Sequence, residues 1–209
     1  GTGNFSVPIA IPAGRNGFQP ELSLVYSSGN GNGPFGLGWS LSVPGVMRKT
    51  SEGLPRYVDE LDTFVLSGAE DLVAVDVHAD RTRYRPRTEG LFARIIHHHD
   101  ASQDYWRVES KDGLTSVYGT PAPAGLDPAA IVDPARTDRV FAWKLSRTTD
   151  VFGNRIDYVY QRDAVRNDGP HRWDQLYVSE MRYVDYGDSA NPQFLIRVQF
   201  VYDERPDPF

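Results

Sequence analysis

The chain has 209 residues, 28 acidic side chains against 22 basic ones for a formal charge of −6, and no cysteine. The missing thiols exclude disulfides, thiolate zinc sites and a cysteine nucleophile, and the singly scattered basic residues leave no electrostatic footprint for nucleic acid or an anionic bilayer. The length can bury a sizeable core, 19 glycines and 15 prolines stay below a low-complexity composition, and no apolar run nears the roughly 20 residues of a spanning helix. Direct membrane insertion is therefore not expected, and no signal peptide is read in this segment.

Phe5, Val7, Ile9 and Ile11 alternate with Ser6, Pro8 and Ala10, so the first strand has one apolar face. Pro8 cannot donate to a ladder and places that strand at an edge or bulge. Residues 13–20 read as a turn, and Leu22, Leu24 and Tyr26 resume the period of two. Between Ser27 and Lys49 the chain runs SSGNGNGPFGLGWSLSVPGVMRK. Gly29, Gly31, Gly33, Gly36 and Gly38 suit a tightly looped backbone, with Gly36 and Gly38 the expected positive-φ positions. Trp39, Leu41 and Val43 then share one face of a strand, with Trp39 expected as a buried anchor. A phosphate-binding loop would need Gly-Lys-Ser/Thr at its end or a helix after it, and neither is present, so the loop is architectural.

Short strands follow at Thr63 to Leu66, Leu72 to Val77 and Arg83 to Arg87. Tyr105 to Ser110 and Leu114 to Tyr118 flank Lys111-Asp112-Gly113, a strong hairpin signal carried by Asp112 and Gly113. The one plausible helical turn spans Asp127 to Ala135. A second hairpin joins Phe141 to Arg147 with Ile156 to Arg162 around Gly153 and Asn154, and a third joins Leu176 to Tyr186 with Phe194 to Asp203. Tyr183, Phe200 and Tyr202 in this last hairpin find no later strand to pack under, and Glu204 to Phe209 read as a turn-like tail. An unpaired aromatic edge open to self-association is expected there.

The run GTGNFSVPIAIPAGRNGFQPELSLVYSSGNGNGPFGLGWSLSVPGVMRKT (Gly1 to Thr50), with GLPRYVDELDTFVLSGAEDLV (Gly53 to Val73), YWRVESKDGLTSVYG (Tyr105 to Gly119) and FAWKLSRTTDVFGNRIDYVYQRD (Phe141 to Asp163), resembles one family. It is similar to the amino-terminal domain of the Salmonella virulence-plasmid B proteins, shared with the B components of insecticidal toxin complexes. The 141–163 segment also resembles a tyrosine-aspartate (Rhs-type) repeat. The likeness is weakest from His78 to Asp104 and from Gly125 to Asp138. What the resemblance implies is a non-catalytic structural segment of a toxin-delivery shell that encloses or presents a separate effector. It also implies secretion as part of a bacterial toxin, with partners in other domains of the same subunit and in a partner subunit of the complex. ADP-ribosyltransferase activity, carried by the other half of the virulence-plasmid protein, uses a Glu-x-Glu motif, and no two glutamates here are separated by a single residue. No catalytic residue and no cofactor is expected.

Three groups of side chains offer chemistry beside that resemblance. His97, His98 and His99 invite a metal, but on a strand only His97 and His99 share a face, with Cα atoms about 6.6 Å apart. With no HExxH motif or neighbouring carboxylate pair, they read as solvated histidines near a strand end. Asp59, Glu60, Asp62, Glu70 and Asp71 are the carboxylates for a glycosidase-like alternative, which needs two facing across a cleft. The bland reading makes them turn residues. Trp39, Trp106, Trp143 and Trp173 keep a carbohydrate-binding alternative open; the first three lie in strand patterns, and Trp173 is the one expected to be exposed. The fold class is all-β, with antiparallel hairpins forming part of a shell or sandwich, in one unit over residues 1–209.

Overall fold

A computed structural model describes residues 3–67, 71–88 and 92–203. Its strands are β1 (Asn4–Pro8), β2 (Ser23–Ser27), β3 (Asn32–Gly33), β4 (Gly36–Leu37), β5 (Trp39–Leu41), β6 (Gly45–Arg48), β7 (Phe64–Leu66), β8 (Asp71–Val77) and β9 (Arg81–Pro86). They continue with β10 (Ala93–His99), β11 (Asp104–Ser110), β12 (Thr115–Tyr118), β13 (Ala130–Asp133), β14 (Arg136–Thr149), β15 (Arg155–Val165), β16 (Trp173–Tyr186) and β17 (Gln193–Gln199). Every pairing among them is antiparallel, as hairpin connections dictate. Residues 127–135 form no helical turn: Ala130–Asp133 is strand β13, paired along β14. The partner strand overrides the local Asp-Pro-Ala-Ala preference.

From β6 to β12 the chain meanders, each strand pairing with the next, and β14 then closes the ring. Its residues Ala142 to Lys144 pair with Met47 to Gly45 of β6, while Leu145 to Thr149 pair with β12. The result is a barrel, which removes the edges an open meander would expose. The alternation that makes it possible is plain in β9, where Thr82, Tyr84 and Pro86 are buried and Arg81, Arg83 and Arg85 are exposed. Val46, Phe64, Leu66, Leu72, Tyr84, Ile95, Trp106, Val108, Tyr118, Trp143 and Leu145 form one contiguous core. Phe64, Trp106 and Trp143 contact one another at ring-centroid distances of 4.9 to 5.8 Å, so aromatic side chains fill the interior.

Beyond the barrel, β15, β16 and β17 continue the sheet from the last residues of β14. Arg162 of β15 ties this extension to the barrel: it donates to the buried carboxylate of Asp174 and to the carbonyls of Asp127 and Ala130, while Asp174 also accepts from Val132 N. The aromatic face near the end of the chain is not bare. Residues 9–22 strap across it, giving a second core of Leu22, Val178 and Met181 flanked by Ile9, Ile11, Val198 and Phe200. Tyr183 is fully buried and its hydroxyl donates to Pro12 O at 2.6 Å, and Tyr202 donates to Val178 O. The expectation of a missing later strand is corrected on this face, because the beginning of the chain supplies the cover. The outer backbone edge of β17 has no partner strand among the described residues. Residues 204–209, read from sequence as a tail, and Glu70 lie outside the described residues.

β1, β2 and β5 form a separate three-stranded sheet with β1 at its edge, where Pro8 is tolerated. Phe5, Tyr26 and Trp39 cluster on it, and Trp39 is only half-buried, in contact with a Phe5 ring that is 53% exposed. This corrects the buried-anchor expectation: the glycine loop leads Trp39 into an outer sheet, not into the barrel.

Candidate functional site

The residues with the greatest chemical potential gather at one end of the barrel. The period of two along β10 puts Ile95, His97 and His99 in one row, and register sets His97 between Thr82 of β9 and Trp106 of β11. His97 is 1% exposed and lies flat on Trp106, with ring centroids 4.2 Å apart and planes 3° apart. Its Nε2 is 2.7 Å from Asp104 Oδ1, an oxygen that also accepts from Trp143 Nε1 at 3.0 Å. The carboxylate can only accept, so Nε2 carries the hydrogen. His99 stands beside it at a ring-centroid distance of 5.0 Å, with Nε2 3.0 Å from Thr82 Oγ1.

The connection from β6 to β7 folds over this end and is held by one buried cation. Arg48 Nη2 donates to Asp59 Oδ1, Nη1 to Asp62 Oδ2 and Nε to Val140 O, each at 2.8 Å. The guanidinium also lies over the rings of Phe64 and Tyr57. Asp62 accepts further from the backbone N–H groups of Arg56 and Tyr57, which shapes the loop into a cap. Asp59 then turns its second oxygen, Oδ2, to within 3.4 Å of His97 Nδ1. Ligand atoms from Asp59, His97 and His99 all lie within 4.8 Å of one another.

His97 is thus not a solvated strand-end residue but is buried against Trp106, while His99, the last residue of β10, is half-buried beside it, and a carboxylate distant in sequence joins them. His98, on the opposite face, stacks on Tyr105, and burial together with nearby Arg107 lowers its pKa. Sequence reasoning missed Asp104 and Arg48 altogether. The available signal was Arg48 at an inward strand position just before the acidic loop, since a buried arginine demands carboxylate partners.

The glycosidase alternative loses its geometry here. Asp59 and Asp62 are consumed by one guanidinium, and Asp71 pairs with Lys49 Nζ at 2.8 Å, the hydrogen bond from Lys49 holding its carboxyl below the usual range. Glu60 is exposed. No two of the described candidates face each other as an acid and a base across a cleft. The sugar-binding alternative fares similarly. Trp173 is 42% exposed but stands alone with its Nε1 donating to Asp163, and Trp39 meets Phe5 edge-on at 87°. Stacking on a sugar face needs rings lying flat on one surface.

The remaining sequence candidates are architectural by position. Gly29 lies in a turn, Gly31 meets open space and Gly33 ends β3. Gly36 and Gly38 adopt φ of +100° and +82°, and a Cβ on Gly38 would fall 2.5 Å from the Tyr26 ring. Asp112 is exposed in the β11–β12 turn, where Gly113 at φ +80° donates to Ser110 O. A Cβ on Gly113 would meet Val151 at 2.2 Å, so this turn abuts the one between β14 and β15. There Gly153 is at φ +84°, and Asn154 bonds Asp150 through both its backbone N–H and its side-chain amide while accepting from Arg15 Nη1. Asp150, which the sequence places in that turn, organises it by accepting from Phe152 N and Asn154 N.

Closed barrel, splayed sheet and amino-terminal strap define an all-antiparallel shell-type β domain with a filled interior. The family model of the Salmonella virulence plasmid 65kDa B protein matches residues 1–207, and the chain belongs to this family. Among curated relatives, the mono(ADP-ribosyl)transferase SpvB of Salmonella typhimurium is 30% identical over 98% of this chain and 40% of its own length. The chain therefore spans about 40% of the length of the curated relatives it matches. Solved structures resemble it as well, two of them as follows. The N-terminal domain of effector protein SpvB from Salmonella typhimurium superimposes with a TM-score of 0.72 and 28% identity, covering 91% of this chain and 66% of that one. A chain of the Photorhabdus luminescens Tc holotoxin pore gives 0.76 and 30%, covering 88% of this chain and 9% of its own.

Proposed function

We propose that this chain is a non-catalytic structural segment of a toxin-delivery shell of the Tc/Rhs type, enclosing or presenting an effector that lies elsewhere in the protein or complex. The observation that carries the reading is the interior of the barrel. Phe64, Trp106 and Trp143 at its centre are 0% exposed, and the acidic residues at its end are bound to Arg48 and His97. The likeness to a short stretch of a much longer holotoxin chain supports the same role. On this reading residues 1–209 work as one β unit with further domains of the same subunit and with a partner subunit, in a protein secreted as part of a bacterial toxin. The outer edge of β17 is where a neighbouring strand would add, and a free edge there favours self-association. The 141–163 hairpin is the repeat-like element within the unit.

The test compares the full-length protein with a version lacking residues 1–209. Deletion should open or destabilise the shell, seen by electron microscopy and protease sensitivity, while effector turnover per folded molecule stays unchanged. The isolated 1–209 chain should neither hydrolyse NAD nor transfer ADP-ribose. Turnover by the isolated chain, or an intact shell after deletion, overturns the reading.

A further inference from the structure

The electrostatics around His97 leave one contact unexplained. Its Nε2 hydrogen is spent on Asp104, and Nδ1 is buried without a hydrogen-bond partner; in the tautomer that carries its hydrogen on Nε2, this atom presents a lone pair. What it faces is another acceptor, Asp59 Oδ2 at 3.4 Å. Two acceptors pointed at each other where His97 is 1% exposed repel, and a buried polar atom without a partner is destabilising. Such a pair calls for a positive centre between them.

We propose that Asp59, His97 and His99 form a site for a divalent transition-metal ion of the zinc class beneath the loop that joins β6 to β7. The geometry fits. Two ligands about 2.0 to 2.1 Å from one tetrahedral ion stand about 3.4 Å apart, which is the His97 Nδ1 to Asp59 Oδ2 separation. His99 offers its ligand atom within the same 4.8 Å cluster. Two imidazoles and one carboxylate suit zinc or its neighbours and not calcium or copper(I), and three protein ligands leave a fourth position for water.

The surroundings are those of a metal site. Asp104 orients His97 through Nε2, Thr82 contacts His99, and Arg48 holds the other oxygen of Asp59, so each ligand has an outer partner fixing it. Charge agrees as well: Asp59, Asp62 and Asp104 outnumber Arg48, the one formal cation paired into the cluster among the described residues. The ion would pin the cap to β10, stapling a loop whose other anchor is Arg48.

The experiment uses the 1–209 chain stripped with a chelator. Zinc should bind with a stoichiometry of one and raise the melting temperature, and cobalt(II) should give visible d–d absorption bands typical of a low-coordinate nitrogen and oxygen site. Asp59→Asn and His99→Ala, checked for native near-ultraviolet circular dichroism, should each weaken zinc by tenfold or more, and Asp104→Asn by about 10- to 100-fold. His98→Ala, on the opposite face, should bind as the parent does. Absence of zinc stabilisation and of a cobalt spectrum in the parent overturns the proposal and assigns a proton to the gap between His97 and Asp59. Unchanged affinity in both Asp59→Asn and His99→Ala, or loss in His98→Ala, overturns it equally.

Discussion

The barrel and the outer three-stranded sheet use the same kind of side chain to opposite ends. In the barrel, Trp106 and Trp143 are 0% exposed and enclosed by Phe64, Tyr84 and His97. In the outer sheet, Trp39 clusters with Tyr26 and a half-exposed Phe5. A closed ring of strands surrounds its aromatics on every side, while a small sheet with one edge proline covers one face only. Aromatic content alone therefore says little about stability; closure decides how much of each ring leaves water.

Substitutions can break that contrast. Trp143→Ala should have the largest effect, about 3 to 5 kcal/mol from the vacated volume, with the Nε1 hydrogen bonds to Asp104 lost as well. Chemical denaturation measures it, and a loss below about 1 kcal/mol would contradict the filled interior. Arg48→Met should come close, also about 3 to 5 kcal/mol, because Asp62 is left as a buried charge without its guanidinium. The paired change Arg48→Met with Asp62→Leu should recover part of it.

In the outer sheet the losses shrink. Trp39→Ala should cost about 1 to 2 kcal/mol, the range of half-lost burial plus aromatic contacts, and a loss equal to that of Trp143→Ala would erase the distinction. Gly38→Ala and Gly36→Ala sharpen it within one loop. Both strain a positive φ by about 1 kcal/mol, but only the first drives a methyl group into Tyr26, so Gly38→Ala should be the costlier. The smallest effect appears only in alkali. Burial raises Tyr118 and Tyr158 to about 12. Their neutral forms are favoured in the fold, so this stability is intact below the unfolded value of about 10 and declines as pH rises through 12. Tyr118→Phe should move the alkaline unfolding transition upward without changing stability at neutral pH, as followed by tyrosinate absorbance.

Local signals carried much of this architecture. Asp112-Gly113 marked the β11–β12 turn, Gly153 the β14–β15 turn, and Pro8 the edge strand, because each is a backbone demand met within a few residues. Closure was not legible. Gly45 to Met47 pair with residues of β14 nearly a hundred positions later, and nothing in that four-residue strand announces a partner. The strap of residues 9–22 over β16 and β17 is hidden for the same reason, as is the approach of Asp59 to His97. Strand periodicity could say that His97 and His99 share a face. It could not say that the face was the inside of a barrel.

One strand holds a further consequence. β14 is shared by β6, β12, β13 and β15, so the ring has no closing partner until residue 149 has been made. On the ribosome, everything from β6 to β12 must wait as an open meander in which Trp106 still lacks its contact with Trp143, and contacts of such long sequence separation form slowly. Completion of this one strand is thus the step that converts a sticky, protease-sensitive nascent sheet into a sealed one. A synonymous pause that holds β14 back should lengthen the protease-sensitive interval, whereas one that acts after β14 has emerged from the ribosome should leave it unchanged.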